Sequence, residues 1–332
     1  LFYVSMTRSK KRLIITMAQE YENRPAVPSV FVTEIEENSR ERVNLESFEE
    51  KTRAPEFHQL WLVPDQRPVN DESKYLEDIL ENEFQLSYSA MNEYVKCPHL
   101  FKVRHLLQIP EPTDDAALYG TIMHRLMENY IKLDGEIENP KYIKHMISEQ
   151  VDRVLPRYPN KERWIEELDR NFQVVISKYL ISTPKPEKTE LSVGRYQPVV
   201  WEGVPIQGKI DRIDWINKEE KTVRIVDYKT TTAKSKNALM GLTQDKDSPS
   251  YLNQLRFYSL LLRNSSQHNY EPKEMSLVFL TPTDTKDPDI KQVTFDVEDD
   301  EALDNLKKTI HEVWDGIKRL EFEHKDGCDC ER

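Results

Sequence analysis

Gly208-Lys209-Ile210-Asp211 is followed, after a short charged turn, by Val226-Asp227-Tyr228-Lys229, and the reading of these two segments decides the fold. Around Asp227 the positions Val223, Ile225, Asp227 and Lys229 alternate with Arg224, Val226 and Tyr228. Side chains two apart on a strand share a face, about 7 Å apart at their Cα atoms, so Asp227 and Lys229 are expected to point into one site. The turn over 217–220 makes residues 205–216 and 221–230 an antiparallel hairpin. Two aspartates and a lysine on such a hairpin are the parts that phosphodiester hydrolysis needs. Carboxylates bind a hard divalent cation, and an ammonium group positions the attacking water or stabilises the charged phosphate.

Working outward, the remaining elements follow an α/β order without an internal repeat. Ser87 or Ser89 is a candidate N-cap for a helix running past Phe101. The spacing of Ile122, Met123, Leu126, Met127, Tyr130 and Ile131 predicts a helix over 115–133, and two more are expected over 141–154 and 161–181. Strands are expected near 189–196, 275–280 and 290–295, with a helix over 251–263. A final helix starts behind Asp299 and Asp300, whose charge suits a helix N-terminus, and runs to about Leu320.

Asp214 is a rival to Asp211. The two lie three residues apart and cannot share one face of a regular strand. The apolar phase also slips here, since Ile210 is even-numbered while Ile213 and Trp215 are odd, which predicts a bulge or strong twist. A surface salt bridge is the expected role for Asp214. One other spacing is set aside. Gly203 to Lys209 fits G-x-x-x-x-G-K, but residue 210 is isoleucine where a hydroxyl would hold Mg²⁺, and the segment contains Pro205 and runs into a strand. No helix N-terminus is expected there to receive phosphate.

The chain has 332 residues, 38% apolar and 32% charged, with a net charge of -12. That balance argues against a general nucleic-acid coat but leaves room for a local basic groove. No apolar run approaches the ~20 residues of a membrane span, and the start lacks the charged-then-apolar order of a signal peptide, so a cytoplasmic protein without membrane contact is expected. Residues 20–83 are charged, with several prolines, and read as a linker, partly disordered in isolation. Within it Val30-Phe31-Val32 is a candidate short strand, 57–63 could dock on a folded part, and 71–83 suits a polar helix.

Taken together, Asp211, Asp227-x-Lys229 and the element order resemble the PD-(D/E)XK nuclease superfamily, in particular its RecB and AddB type members fused to helicases. Gly120-Thr121-Ile122-Met123-His124 is similar to that family's G-x-x-x-H helix, and Gln254-Leu255-Arg256-Phe257-Tyr258 to its Q-x-x-x-Y helix. Leu86-Ser87-Tyr88-Ser89, leading to Lys96-Cys97-Pro98, resembles the start of the domain. The resemblance covers about 86–332. It implies a restriction-endonuclease-like core, a mixed sheet flanked by helices, with an N-terminal helical insertion. It further implies that His124, Asp211, Asp227 and the backbone carbonyl of Tyr228 bind Mg²⁺ or Mn²⁺. Lys229 would act on water and phosphate, and Gln254 and Tyr258 would support the site and the DNA strand. It favours Asp211 over Asp214. Glu190, on the preceding strand, is a further candidate for the site, and Glu128, one turn beyond His124, would either orient that histidine or face solvent.

The same resemblance bears on the thiols. AddB-type members hold a [4Fe–4S] cluster between one early cysteine and three late ones. Here Cys97 matches the early position and Cys328 and Cys330 lie late, with C-x-C spacing where the family has C-x-x-C. Three thiolates fall short of the usual four, so a cluster is implied only for a longer parent chain. Finally, Leu1-Phe2-Tyr3-Val4-Ser5-Met6-Thr7-Arg8-Ser9-Lys10-Lys11-Arg12-Leu13 resembles the last motif of UvrD-like superfamily 1 helicases, where the arginine matching Arg8 reaches the γ-phosphate of ATP. The organisation implied is a helicase remnant over 1–20, a linker over 21–85 and a nuclease domain over 86–332. The implied partners are DNA, single-stranded or at ends, the rest of a helicase polypeptide and a second helicase–nuclease subunit. A non-enzymatic module that only grips DNA is the alternative, and retention of the acidic residues weighs against it.

Overall fold

A computed structural model describes residues 20–21, 24–25, 70–109, 114–133, 139–155, 161–244, 249–283, 286–298, 301–325 and 328. The helicase-like motif at 1–13, the strand expected at 30–32, the segment 57–63, Asp299, Asp300 and Cys330 lie outside the described residues. The chain divides into two units, Leu1–Pro68 and Val69–Arg332. In the first, the described part is a short antiparallel pair, β1 (Glu20–Tyr21) and β2 (Arg24–Pro25).

The second unit is built on a mixed five-stranded sheet. Its strands are β3 (Lys188–Val193), β6 (Gly208–Asn217), β7 (Thr222–Lys229), β8 (Glu271–Phe279) and β9 (Lys291–Asp296), in that spatial order. Only the β7–β8 neighbours are parallel, and a helix crosses over between them. The expected hairpin is β6–β7. The single strand expected over 205–216 is in fact two, because β5 (Val204–Ile206) pairs with β4 (Val199–Trp201) in a separate ribbon before Gln207 turns the chain into β6. The Gly203 to Lys209 spacing is thus occupied by two strands, with no helix behind it to cradle phosphate.

Helices cover both faces of the sheet. On one face lie α1 (Asn70–Asn82), α2 (Tyr88–Lys96), α3 (Pro98–Phe101), α7 (Lys236–Leu239), α8 (Pro249–Arg263) and α9 (Glu301–Lys318), packed with Ile213, Val223, Ile225, Leu277 and Phe279. On the other lie α4 (Asp115–Lys132), α5 (Pro140–Val154) and α6 (Lys161–Val175), packed with Val226, Tyr228, Val278 and Leu280. The expected helical insertion is therefore a whole layer of the domain. Apolar residues at three- and four-residue spacing drive each helix onto the sheet. In α9 the buried set is Leu303, Leu306, Ile310, Val313, Trp314 and Ile317.

Local chemistry sets the helix ends. Ser87, not Ser89, caps α2, accepting a hydrogen bond from the Ala90 amide at 3.2 Å, and Asp114 caps α4 through the Ala117 amide at 2.7 Å. The helix expected to run past Phe101 breaks at Cys97, whose extended backbone (φ -157°, ψ 108°) is the conformation favoured before Pro98. A π-helical turn (Lys102–Leu106) then ends the segment. The linker expectation needs one correction. Leu76 of α1 is buried with the core and Ile79 and Leu80 pack against it, so residues from about 70 onward belong to the folded unit.

Asp214 is also corrected. It is buried, and its carboxylate takes the Nε of buried Arg212 at 2.7 Å, while Arg212 donates a second bond to the Pro184 carbonyl at 2.6 Å. Sequence signals for a surface pair and a buried one are identical, because an aspartate gives no hint of what lies over it. Asp214→Ala leaves the Arg212 guanidinium buried without its counter-charge. It should cost about 3–5 kcal/mol in denaturant unfolding, far above the effect of a surface pair.

Candidate metal centre and its lysine

The site forms where two strands part. β6 and β7 pair from Asn217↔Thr222 up to Arg212↔Val226, and beyond that point no ladder pair joins them. β6 continues beside β3 to Gly208, and β7 beside β8 to Lys229. Asp211 and Asp227 occupy the first positions past the last pair, one on each arm of the fork. The slipped apolar phase has a different origin: residues 210–214 are all buried, and the irregularity in this ladder lies further along, between Trp215 and Asn217.

Each side chain is held by a specific contact. The Asp211 carboxylate reaches across the fork, accepting the Tyr228 backbone N–H on Oδ2 at 2.7 Å, which leaves Oδ1 facing the His124 Nδ1 at 3.4 Å. The Asp227 Oδ2 has the Lys229 Nζ at 2.8 Å, without a well-aligned hydrogen bond. Lys229 in turn donates to the Gln254 Oε1 at 2.7 Å, and the Gln254 amide donates to the Tyr258 hydroxyl at 2.8 Å. The Tyr251 ring lies 4.9 Å from the ammonium. Gln254 and Tyr258, one turn apart on α8, therefore hold the lysine through a relay of polar contacts.

Two glycines allow the helices to approach. A Cβ on Gly120 would meet the Thr230 Oγ1 at 3.1 Å, so the bare backbone lets α4 sit on the end of β7 and carry His124, one turn later, over the fork. A Cβ on Gly208 would meet the Tyr258 ring and Leu261 at 3.0 Å, so α8 closes on β6 only at a glycine.

Glu190 completes the cluster. Its backbone takes the left-handed conformation (φ 52°), interrupting the β3–β6 ladder opposite Asp211. This brings its carboxylate to 3.8 Å from the His124 Nδ1 and into an ion pair with Lys209. A non-glycine residue held there is strained by about 1–3 kcal/mol, and such strain clusters at functional sites. His124, Glu190 and Asp211 offer ligand atoms within 4.8 Å of one another. Glu128 takes no part, pairing instead with Lys132 at 2.6 Å. Tyr228 contributes its amide to Asp211, while its ring lies in the opposite core beside Tyr179.

Three acids and three basic groups share this space. Burial pushes the Asp227 carboxyl up, as does Asp211, while Lys229 opposes, leaving it at about 6. Burial alone would lower the His124 imidazole, but Asp211, Glu190 and Asp227 raise it to about 10. Against its own burial, Glu190 is held below the usual carboxylate range by His124 and Lys209, and Lys229 is held above its ordinary value by Asp227. Two carboxylates and one imidazole, from Asp211, Glu190 and His124, suit a hard divalent ion whose charge would replace the proton on His124, while Asp227, also expected as a ligand, lies outside this group and pairs with Lys229. Such an ion supplies an activated water and neutralises phosphate charge.

A second cluster lies apart from this one. The thiol of Cys97, which is buried, is 4.0 Å from the His324 Nδ1, and that of Cys328 is 3.7 Å from the same nitrogen. The His99 ring stacks on His324 at 4.0 Å. Cys97, at the end of the early helix, and the tail therefore meet at a corner.

The relay has a testable consequence. Gln254→Ala removes the acceptor that aims Lys229 but touches no candidate metal ligand. For any phosphodiester hydrolysis carried out at this site, the single-turnover rate should fall about 10–100-fold with little change in metal affinity. Tyr258→Phe, which takes away only the hydroxyl supporting Gln254, should fall less.

Residues 85–332 match the family model described as the PD-(D/E)XK nuclease superfamily. No curated protein matches the chain. Among solved structures, one from Eubacterium rectale, described as a candidate exonuclease, is 14% identical over 77% of this chain and 88% of that one, with a TM-score of 0.44. Another, of SSO0001, is 16% identical over 78% of this chain and 88% of that one, with a TM-score of 0.33. With an α/β sheet of this order, acids on both arms of the β6–β7 fork and a family match over three quarters of its length, the chain belongs to the PD-(D/E)XK nuclease superfamily.

Proposed function

We propose that this chain is a metal-dependent deoxyribonuclease that hydrolyses phosphodiester bonds in DNA strands released by a UvrD-like helicase during unwinding and repair, in the cytoplasm. One observation carries the catalytic part. Asp211, Asp227 and Lys229, on neighbouring strands, converge with His124 and Glu190 at the point where the strands part. His124, Asp211, Asp227 and the Tyr228 carbonyl would hold Mg²⁺ or Mn²⁺, joined by Glu190. Lys229 positions the nucleophilic water and stabilises charge on the phosphate, and Gln254 and Tyr258 position Lys229. The helicase context rests on the motif at 1–13 and on the similarity of 86–332 to the RecB and AddB branch. A second helicase–nuclease subunit is the partner that this branch implies.

Among the described residues no helix is long and apolar enough to cross a membrane. At the thiol corner, we read Cys97, Cys328 and Cys330 as ligands of an iron–sulfur centre in the parent chain. The closeness of Cys97 and Cys328 around His324 supports this. Its role would be a staple between early helix and tail, remote from the chemistry.

End-labelled single-stranded DNA should be degraded in Mg²⁺ or Mn²⁺ and left intact in EDTA. Asp227→Ala and Asp211→Ala should each abolish cleavage with the fold retained. Lys229→Ala should lower the single-turnover rate by about 10²–10³-fold, as loss of a transition-state charge does, with metal affinity little changed. Intact DNA under all metal conditions would favour a module that only grips the strand. For the corner, anaerobically purified parent protein should contain iron and sulfide and absorb near ~400 nm, and Cys97→Ser should remove both.

A further inference from the structure

A groove of about 280 Å³ opens directly beside the catalytic relay. Gln254, Tyr258 and Lys209 form its inner wall, and Ser87, Ser89 and Arg195 its outer one. Lys209 links the two regions, since it pairs with Glu190 of the candidate metal centre while its side chain stays 59% exposed. The groove is thus continuous with the site and mixed in character, its polar side chains set beside the rings of Tyr88 and Tyr258.

The loop after β3 supplies its outer end. Arg195 is exposed and makes no ion pair among the described residues, and its guanidinium lies 5.7 Å from the ring of Tyr196. Tyr196 is 81% exposed, a large apolar face turned to solvent. Gly194 fixes this loop. Its backbone is left-handed (φ 89°), and a Cβ there would stand 2.5 Å from the Ile206 carbonyl, so only glycine lets the loop close on β5. Arg195 and Tyr196 are therefore presented by a fixed turn beside the groove, not by a free tail.

We propose that this groove is the track for an unpaired DNA strand, with Arg195 and Lys209 on successive phosphates and Tyr196 as the platform on which a base stacks. This rests on the nuclease reading, and it adds the path of the strand and the residues that hold it. Cationic groups along a groove meet the backbone, and an exposed aromatic ring meets a base face that a duplex keeps covered. The strand leads along the Gln254–Tyr258 wall to the fork, where the scissile phosphate would lie.

The test is equilibrium binding of a fluorescent oligothymidylate in EDTA, where no hydrolysis occurs. Tyr196→Ala should weaken binding about tenfold, while Tyr196→Phe, which keeps the ring, stays within about twofold. Arg195→Ala should weaken it and make log K against log salt shallower by about 0.7, the loss of one phosphate contact. Tyr142→Ala, at a tyrosine exposed on α5, should bind as the parent does. Unchanged affinity in Tyr196→Ala, or a duplex of equal length bound as tightly as the single strand, would overturn the proposal. Metal-dependent cleavage with unaltered Tyr196→Ala binding would sink the groove alone. The expected binding losses without any cleavage would sink the nuclease reading alone.

Discussion

The parting of β6 from β7 is the constraint on which the rest of the site depends. Regular strands satisfy their backbone groups against each other, and where two neighbours separate those groups need other partners. Here the Asp211 carboxylate takes the Tyr228 amide, and that bond aims its second oxygen at His124. The fork also opens a wedge between the two helical layers. α4 can insert a histidine from one side, and α8 can insert a glutamine and a tyrosine from the other. Acids crowded into such a space are costly unless positive charge is supplied. Lys229, Lys209 and a protonated His124 provide it, and a divalent cation would take the place of the His124 proton.

Much of this was legible in the sequence because it depends on short periodicities. The two-residue alternation around Asp227 correctly places Lys229 beside it, and the four-residue spacing of Gln254 and Tyr258 places both on one helix face. The family motifs supplied His124, a residue whose lone occurrence on an apolar helix says little. The glycines of two motifs also acquire a physical reason: Gly120 and Gly208 mark the two places where a helix touches the end of a strand.

What escaped the sequence depends on contacts between distant elements or on backbone conformation. Glu190 was a candidate from its place on the preceding strand, but the left-handed backbone that brings its carboxylate to His124 is a state that its neighbours do not signal. The burial of Asp214 with Arg212 depends on the layer of helices above them, fixed by residues far away in the chain. α1 was expected as a polar helix within the linker because most of its surface is polar, yet Leu76, with Ile79 and Leu80 beside it, packs it into the core. His324 was not singled out, since two of its partners, Cys97 and His99, lie more than two hundred residues earlier.

The central claim is that the strand fork gathers carboxylates and an imidazole to hold a divalent cation. The most direct measurement is anomalous diffraction from crystals grown with Mn²⁺. The account predicts a peak bounded by His124, Glu190, Asp211 and Asp227, with ligand atoms about 2.0–2.3 Å away, as hard cations of this size require. A peak elsewhere, or an empty fork with Lys229 still paired to Asp227 at saturating Mn²⁺, would contradict it.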